Sequence, residues 1–93
     1  MDFEWDDRKA ELNVRKHAVR FETAAAVFSD PFRLIFEDDR FVYDEVREIA
    51  IGMVGTRLYV VVFTEVPDAI RIVSARKASD RERKIYGNRT FPA

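Results

Sequence analysis

The chain has 93 residues and a mass of 10.9 kDa, a size that buries roughly 65% of the unfolded surface and feeds a single core, so a two-domain enzyme is excluded. An apolar share of 47% with 8 Phe, 3 Tyr and 1 Trp excludes a disordered tail, and the absence of cysteine excludes disulfides and thiolate metal sites. The net charge of −1 conceals a polarity: residues 1–70 carry 9 basic and 15 acidic side chains, whereas residues 71–93 carry 7 and 2. Arg outnumbers Lys by 12 to 4, and guanidinium pairs bidentately with phosphate or carboxylate, so the C-terminal third is suited to a polyanion or an acidic partner, or simply to a solvated basic helix. The N-terminal Met1 to Asp7 segment is acidic where a signal peptide is basic and then apolar, and no apolar run approaches the roughly 18 residues of a membrane span. The expectation is a soluble, cytoplasmic protein with no membrane partner.

In chain order, Phe3-Glu4-Trp5 alternates as a short strand, closed by Asp6, whose carboxylate can accept the free amide protons of the following helix. That helix is expected from about Asp7 to His17, with Ala10, Asn13, Val14 and His17 on one face. A second short helix is expected from Glu22 to Phe28, burying Phe21, Ala24, Ala25 and Phe28 and ended by Asp30-Pro31. Phe32 to Phe36 then reads as a strand, and Glu37-Asp38-Asp39-Arg40 as a solvated acidic turn.

Arg47 to Val54 alternates as the next strand, and Gly55-Thr56 as a hairpin connection. Leu58 to Phe63 is apolar on both faces, as suits a central strand, and Ile70 to Ala75 makes the last strand. Ser79 to Glu82 fits a capping box, which predicts a helix from about Asp80 to Tyr86 that stops at Gly87. Short links between the strands favour an antiparallel meander covered by the helices, hence an α+β fold in one domain over residues 1–93.

Enzyme motifs with a phosphate-binding glycine loop, HExxH or GxSxG are missing, and there is one His. No metal site or cofactor is implied. Arg, Glu, Lys, His and Tyr remain, and these suffice for metal-independent RNA cleavage. There the 2′-oxygen attacks the adjacent phosphate, which calls for a base, cations for the developing charge and an acid for the leaving oxygen. Arg71 and Arg76 lie five apart, so a straight strand puts them on opposite faces unless the chain bends near Ala75. Glu45 and Arg47 share a face if their strand starts early, or form only a surface ion pair. His17 fits either a proton acceptor or a structural residue at a helix C-terminus. Trp5 and Tyr86 fit either base stacking or the edge of the core.

Several stretches together carry a resemblance. Phe3-Glu4-Trp5-Asp6, Lys9, Asn13, Lys16-His17, Val19-Arg20-Phe21 and Phe28-Ser29-Asp30-Pro31 occur in that order. They are followed by Glu45-Val46-Arg47, Ile51-Gly52, Thr64-Glu65, Arg71 to Arg76, Glu82-Arg83 and Tyr86. In these the chain resembles BrnT-type toxins over nearly its whole length. The resemblance implies a RelE-like α+β fold with a short N-terminal strand, two helices, a four-stranded antiparallel meander and a C-terminal helix. It implies a ribonuclease that inhibits translation, encoded with a BrnA-type antitoxin whose ribbon-helix-helix domain binds operator DNA, so that the toxin meets DNA only through its antitoxin.

Carried onto this sequence, the polar positions of those motifs are Lys9, Asn13, His17, Glu45, Arg47, Glu65, Arg71 and Arg76; by residue type and expected strand-end position, Arg71 and Arg76 are expected at the phosphate and the transition-state charge, Glu45 or Glu65 as proton acceptor, and His17 as a further catalytic candidate. Lys77, Arg81, Lys84 and Arg47 are then RNA-binding. Three positions depart from the family pattern: Phe41-Val42 replaces a His-Ser pair, Val66 an Arg, and Ala18 a glycine. The Ala18 change costs about 1 kcal/mol if the position needs positive φ. These departures and a pI of about 5.8 keep open an alternative, a catalytically attenuated homologue that serves as an antitoxin-binding co-repressor.

Overall fold

The computed structural model describes residues 1–39 and 45–90. The element order is β1 (Phe3–Glu4), α1 (Asp7–His17), α2 (Phe21–Ala26) continued by a 3₁₀ turn (Val27–Ser29), β2 (Leu34–Glu37), β3 (Glu48–Val54), β4 (Arg57–Val66), β5 (Ala69–Lys77) and α3 (Asp80–Thr90). The α+β class and the antiparallel meander β2 to β5 are as expected, and each of the last three strands is close to its expected span. The N-terminal strand adds to the meander instead of standing apart: β1 pairs parallel with β5, giving a five-stranded mixed sheet of order β1-β5-β4-β3-β2. The apolar strand β4 lies at its centre, where its two apolar faces can both be used.

One face of the sheet packs on α1 and α2. Val19, Phe21, Ala24, Val27 and Phe28 from the helical segment meet Ala50, Val61, Phe63, Ile72 and Ala75 from the strands. Phe28 stands edge-on to Phe63 at 4.9 Å, and Trp5 edge-on to Phe21 at 5.9 Å, so Trp5 belongs to the core edge. Gly52 lets β3 run close under the 3₁₀ turn, because a Cβ there would stand 2.8 Å from Val27 Cγ1. The other face carries a smaller cluster of Ile49, Ile51, Leu58, Val60 and Ala78, with Tyr86 of α3 packed against it. This second face carries the cavity described below and is called the open face.

Helix ends follow local chemistry. The Asp6 carboxylate accepts from the amides of Arg8 and Lys9 at 2.8 and 3.1 Å, capping α1. Ala18 ends α1 in the left-handed conformation, φ 57° and ψ 33°, with its amide donating to the Val14 carbonyl. The Ser79 box is formed as expected: the Ser79 amide donates to Glu82 Oε1 at 2.7 Å, and the Glu82 amide to Ser79 Oγ at 3.3 Å.

Two local expectations fail. α3 does not stop at Gly87 but runs on to Thr90, since an interior glycine costs a helix only about 1 kcal/mol and does not break it. Asp38 is not solvated but 4% exposed, and its amide donates to the Arg47 carbonyl at 2.8 Å. The rest of that turn, including Phe41 and Val42, lies outside the described residues.

Ala18→Gly removes left-handed strain from a side chain and is expected to stabilise the protein by about 1 kcal/mol. Gly87→Ala, where a Cβ meets nothing within 4 Å, is expected to add up to about 1 kcal/mol. Thermal denaturation of the two variants checks both, and a lowered Tm for either contradicts the backbone argument.

Candidate active site

The open face of the sheet is laid out in rows by strand register. Phe36, Ile49, Val62 and Ser74 form one row across β2 to β5, and Ile51, Val60 and Arg76 the next. Each row is apolar until it reaches β5, where it becomes polar. Above these rows lies a cavity of about 500 Å³, lined also by His17 at the end of α1 and by Arg81 and Glu82 at the start of α3. An apolar floor thus meets a wall of one imidazole, two guanidiniums and one carboxylate.

The spacing of Arg71 and Arg76 is resolved by a β-bulge. Val62 pairs with Ser74 and Phe63 with Ile72, so Val73 has no partner on β4. The extra residue restores parity, and Arg71, Ser74 and Arg76 fall on the same face. The two arginines still do not converge. Their partners on β4, Thr64 and Val60, are four residues apart, or about 13 Å along a strand. Arg71 is instead held at the β1 edge, where its Nε and Nη2 both donate to Glu4 Oε2 at 2.8 Å. Half-exposed, that pair is worth at most about 1 kcal/mol.

Arg76 is fixed more firmly. Its Nη1 and Nη2 donate to the two oxygens of Glu82 at 2.7 Å each, a fork-to-fork pair. Hydrogen bonds from Arg76 hold the Glu82 carboxyl down at about 2 against the opposing effect of burial, with help from Ser79. Glu82 therefore serves as both the capping-box acid of α3 and the anchor of Arg76. Its first role is legible in the Ser79 to Glu82 spacing; the second had no sequence signal beyond an opposite charge six residues from Arg76.

Asn13 sets where α1 sits against this wall. It is buried, 6% exposed, and its Nδ2 donates to the carbonyls of Val19 and Ala75 at 2.8 and 2.9 Å while its Oδ1 accepts the Ala75 amide at 3.1 Å. β1 pairs with β5 only at Ile70 and Arg71, so beyond that point Asn13 supplies the hydrogen bonds that a neighbouring strand would. It thereby ties the residue next to Arg76 to the helix that ends in His17.

The other expected residues lie elsewhere. Glu45 is exposed, ahead of β3, and lines none of the described cavities. Arg47 also precedes β3, which begins at Glu48, so the two do not share a strand face. Glu65 follows Phe63 by two on β4 and so faces the helical side, away from Arg76. There Glu65, Glu48 and Glu37 form an acidic group. Burial, a hydrogen bond with Glu65 and the charges of Glu65 and Glu37 push Glu48 up to about 7.

Lys77 lines a separate cavity of about 570 Å³ with Arg57, Arg83 and Tyr86, and Lys84 is exposed on α3. The Tyr86 hydroxyl donates to Asp30 Oδ2 at 2.6 Å, so this ring is a structural strut. The same carboxylate accepts the amides of Phe32 and Met53 at 2.9 and 2.8 Å. Burial pushes Asp30 up, but these donors and the Arg33 charge outweigh it and leave the carboxyl below its usual range. Val66, the last residue of β4, is half-buried opposite Ala69. Among the described residues no group of three or more His, Cys, Asp or Glu could hold a metal ion, and no helix is long and apolar enough to cross a membrane.

Residues 5–82 match the family described as the ribonuclease toxin BrnT of type II toxin–antitoxin systems. The chain belongs to that family, whose systems pair each toxin with a protein antitoxin. Comparison with curated proteins gives no match.

Asn13→Ala orphans the amide and carbonyl of Ala75 and is expected to cost about 2–4 kcal/mol in denaturant unfolding. The two shifted acids give opposite pH signatures. Glu82, with a folded pKa of about 2 against 4.5, adds stability above pH 4.5 that is lost as pH falls towards 2. Glu48, at about 7 against 4.5, binds its proton more tightly when folded, so stability falls as pH rises from 4.5 to 7. Glu82→Gln should flatten the acid limb, and Glu48→Gln should raise stability above pH 7 while changing little below pH 4.5. Unfolding curves from pH 3 to 8 test both.

Proposed function

We propose that this protein is a metal-independent endoribonuclease toxin that arrests translation and is neutralised by an antitoxin of BrnA type with a ribbon-helix-helix domain. The observation that carries the reading is the cavity on the open sheet face, where His17, Arg76 and Arg81 meet above an apolar floor. The reaction needs charge stabilisation at a phosphate, and two guanidiniums supply it. Arg76, its fork preset by Glu82, is the better oriented for the charge that develops on the non-bridging oxygens. His17 is the imidazole that lines the cavity and takes the role of proton acceptor from the 2′-hydroxyl. Glu45 and Glu65, the proton acceptors expected from residue type, do not line the cavity among its described residues. Phe36, 47% exposed at the far end of the floor, offers a ring on which a base can stack.

A second reading, the attenuated co-repressor, draws support from the same Arg76–Glu82 pair, which neutralises part of the charge that a phosphate would meet. The readings separate in cells. Induced expression of the chain alone should arrest growth and fragment total RNA, with rescue by the neighbouring antitoxin. Arg76→Ala should lower cleavage at least 100-fold while remaining folded. Normal growth with intact RNA, from a folded chain that still binds the antitoxin, would establish the co-repressor instead.

A further inference from the structure

The cavity does not end at His17. A groove of about 240 Å³ continues from it between α1 and the bulged stretch of β5, sharing His17 and Ser74 with the cavity and lined beyond them by Lys9, Leu12, Lys16 and Val73. The helix positions 9, 12, 13, 16 and 17 recur on one face, and Asn13 among them is the residue that clamps α1 to β5. Among the described residues no carboxylate lines this groove. Lys9 and Lys16 are two turns apart, about 10 Å along the axis. Leu12 lies between them at 53% exposure, an apolar surface that solvent does not favour.

We propose that this groove is a subsite for the part of an RNA substrate that flanks the scissile phosphate. Lys16 and Lys9 take the first and second phosphates beyond the cavity, and Leu12 supports the sugar or base between them. The inference rests on the ribonuclease reading, since it gives that reaction a direction along the protein: the strand leaves the cavity past His17 and runs back along α1. The recognition is electrostatic and carries no base code, so the groove fixes how much RNA must extend beyond the cut but not its sequence.

The adjoining face of the same helix, about 100° round the axis, provides the control. Arg8 and Arg15 are also seven apart and exposed, and neither lines the groove. Removing two cations from either face changes net charge equally; only one face should change RNA contact geometry. The probe is a fluorescent single-stranded oligonucleotide of eight nucleotides with 2′-deoxy sugars, which cannot undergo attack by the 2′-oxygen, titrated against the protein over a range of salt. For Lys9→Gln/Lys16→Gln the slope of log K against log salt should fall in magnitude by about 1.4, the value for two lost single-strand phosphate contacts. Arg8→Gln/Arg15→Gln should leave that slope as in the wild type.

Equal slopes for all three proteins would overturn the groove while leaving the nuclease reading intact, provided that the wild type binds the probe and cleaves RNA. A wild type that neither binds nor cleaves would sink the nuclease reading itself. If the lysine variant keeps the wild-type slope but loses antitoxin binding, the groove is a protein surface and the proposal fails.

Discussion

β5 has a free edge for most of its length, and the way that edge is closed fixes the rest of the site. β1 covers only Ile70 and Arg71. Past them the amide and carbonyl of Ala75 would face an apolar boundary between strand and helix, at a cost of about 1–3 kcal/mol for each unsatisfied group. Asn13 meets both, and its second amide proton takes the Val19 carbonyl just past the left-handed turn at Ala18. One side chain therefore sets the axial position of α1, the course of the chain that leaves it, and the distance from the helix end to β5. Through this clamp α1 carries His17 to the cavity that it shares with Ser74 and Arg76.

The bulge at Val73 works with this clamp. A strand in regular register would turn either Arg71 or Arg76 into the core under α1 and α2, where an unpaired guanidinium could not remain. With one unpaired residue between them both point to the open face, while Ile72 and Ala75 keep to the core. Glu82 then completes the arrangement from the other side. Its carboxylate is held by the first turn of α3 through Ser79 and by the fork of Arg76, so the helix start and the catalytic candidate are aligned by the same two oxygens.

What the sequence makes legible follows from how local each cause is. The capping box at Ser79, the cap at Asp6, the helix from Asp7 to His17 and the strain at Ala18 depend on neighbours within four residues, and all stand as expected. The α+β order and the central place of β4 follow from apolar patterning. The failures are of longer range. Asp38 is buried and its amide is bonded to Arg47, nine residues away, and nothing in an acidic run announces it. The parity of Arg71 and Arg76 depends on a bulge set by pairing across strands, and the second partner of Glu82 on the approach of α3 to β5. Glu45 and Glu65 attract notice by residue type alone, yet register turns Glu65 to the helical face. Phe36 is the reverse case: it reads as an ordinary strand residue, and only the row it forms with Ile49, Val62 and Ser74 gives it a place in the cavity.

Charge distribution bears on the apparent conflict between an acidic pI and the proposed RNA substrate. A phosphate responds to charges within about a Debye length, roughly 8–10 Å at physiological salt, and not to the net charge of the whole protein. Glu37, Glu48 and Glu65 cluster on the helical face at the far end of β3 and β4, with the sheet between them and the open face. Their mutual repulsion is lowered by the proton that Glu48 keeps towards neutral pH, which reduces the negative field they project. On the open face Glu82 is the one carboxylate lining the cavity among the described residues, and it is already paired with Arg76. Arg81, His17, Lys16 and Lys9 extend from there with no acid among the described residues of the groove lining. The distance of this acidic group from the cavity and groove thus allows a chain of net charge −1 to offer a polyanion a locally basic path.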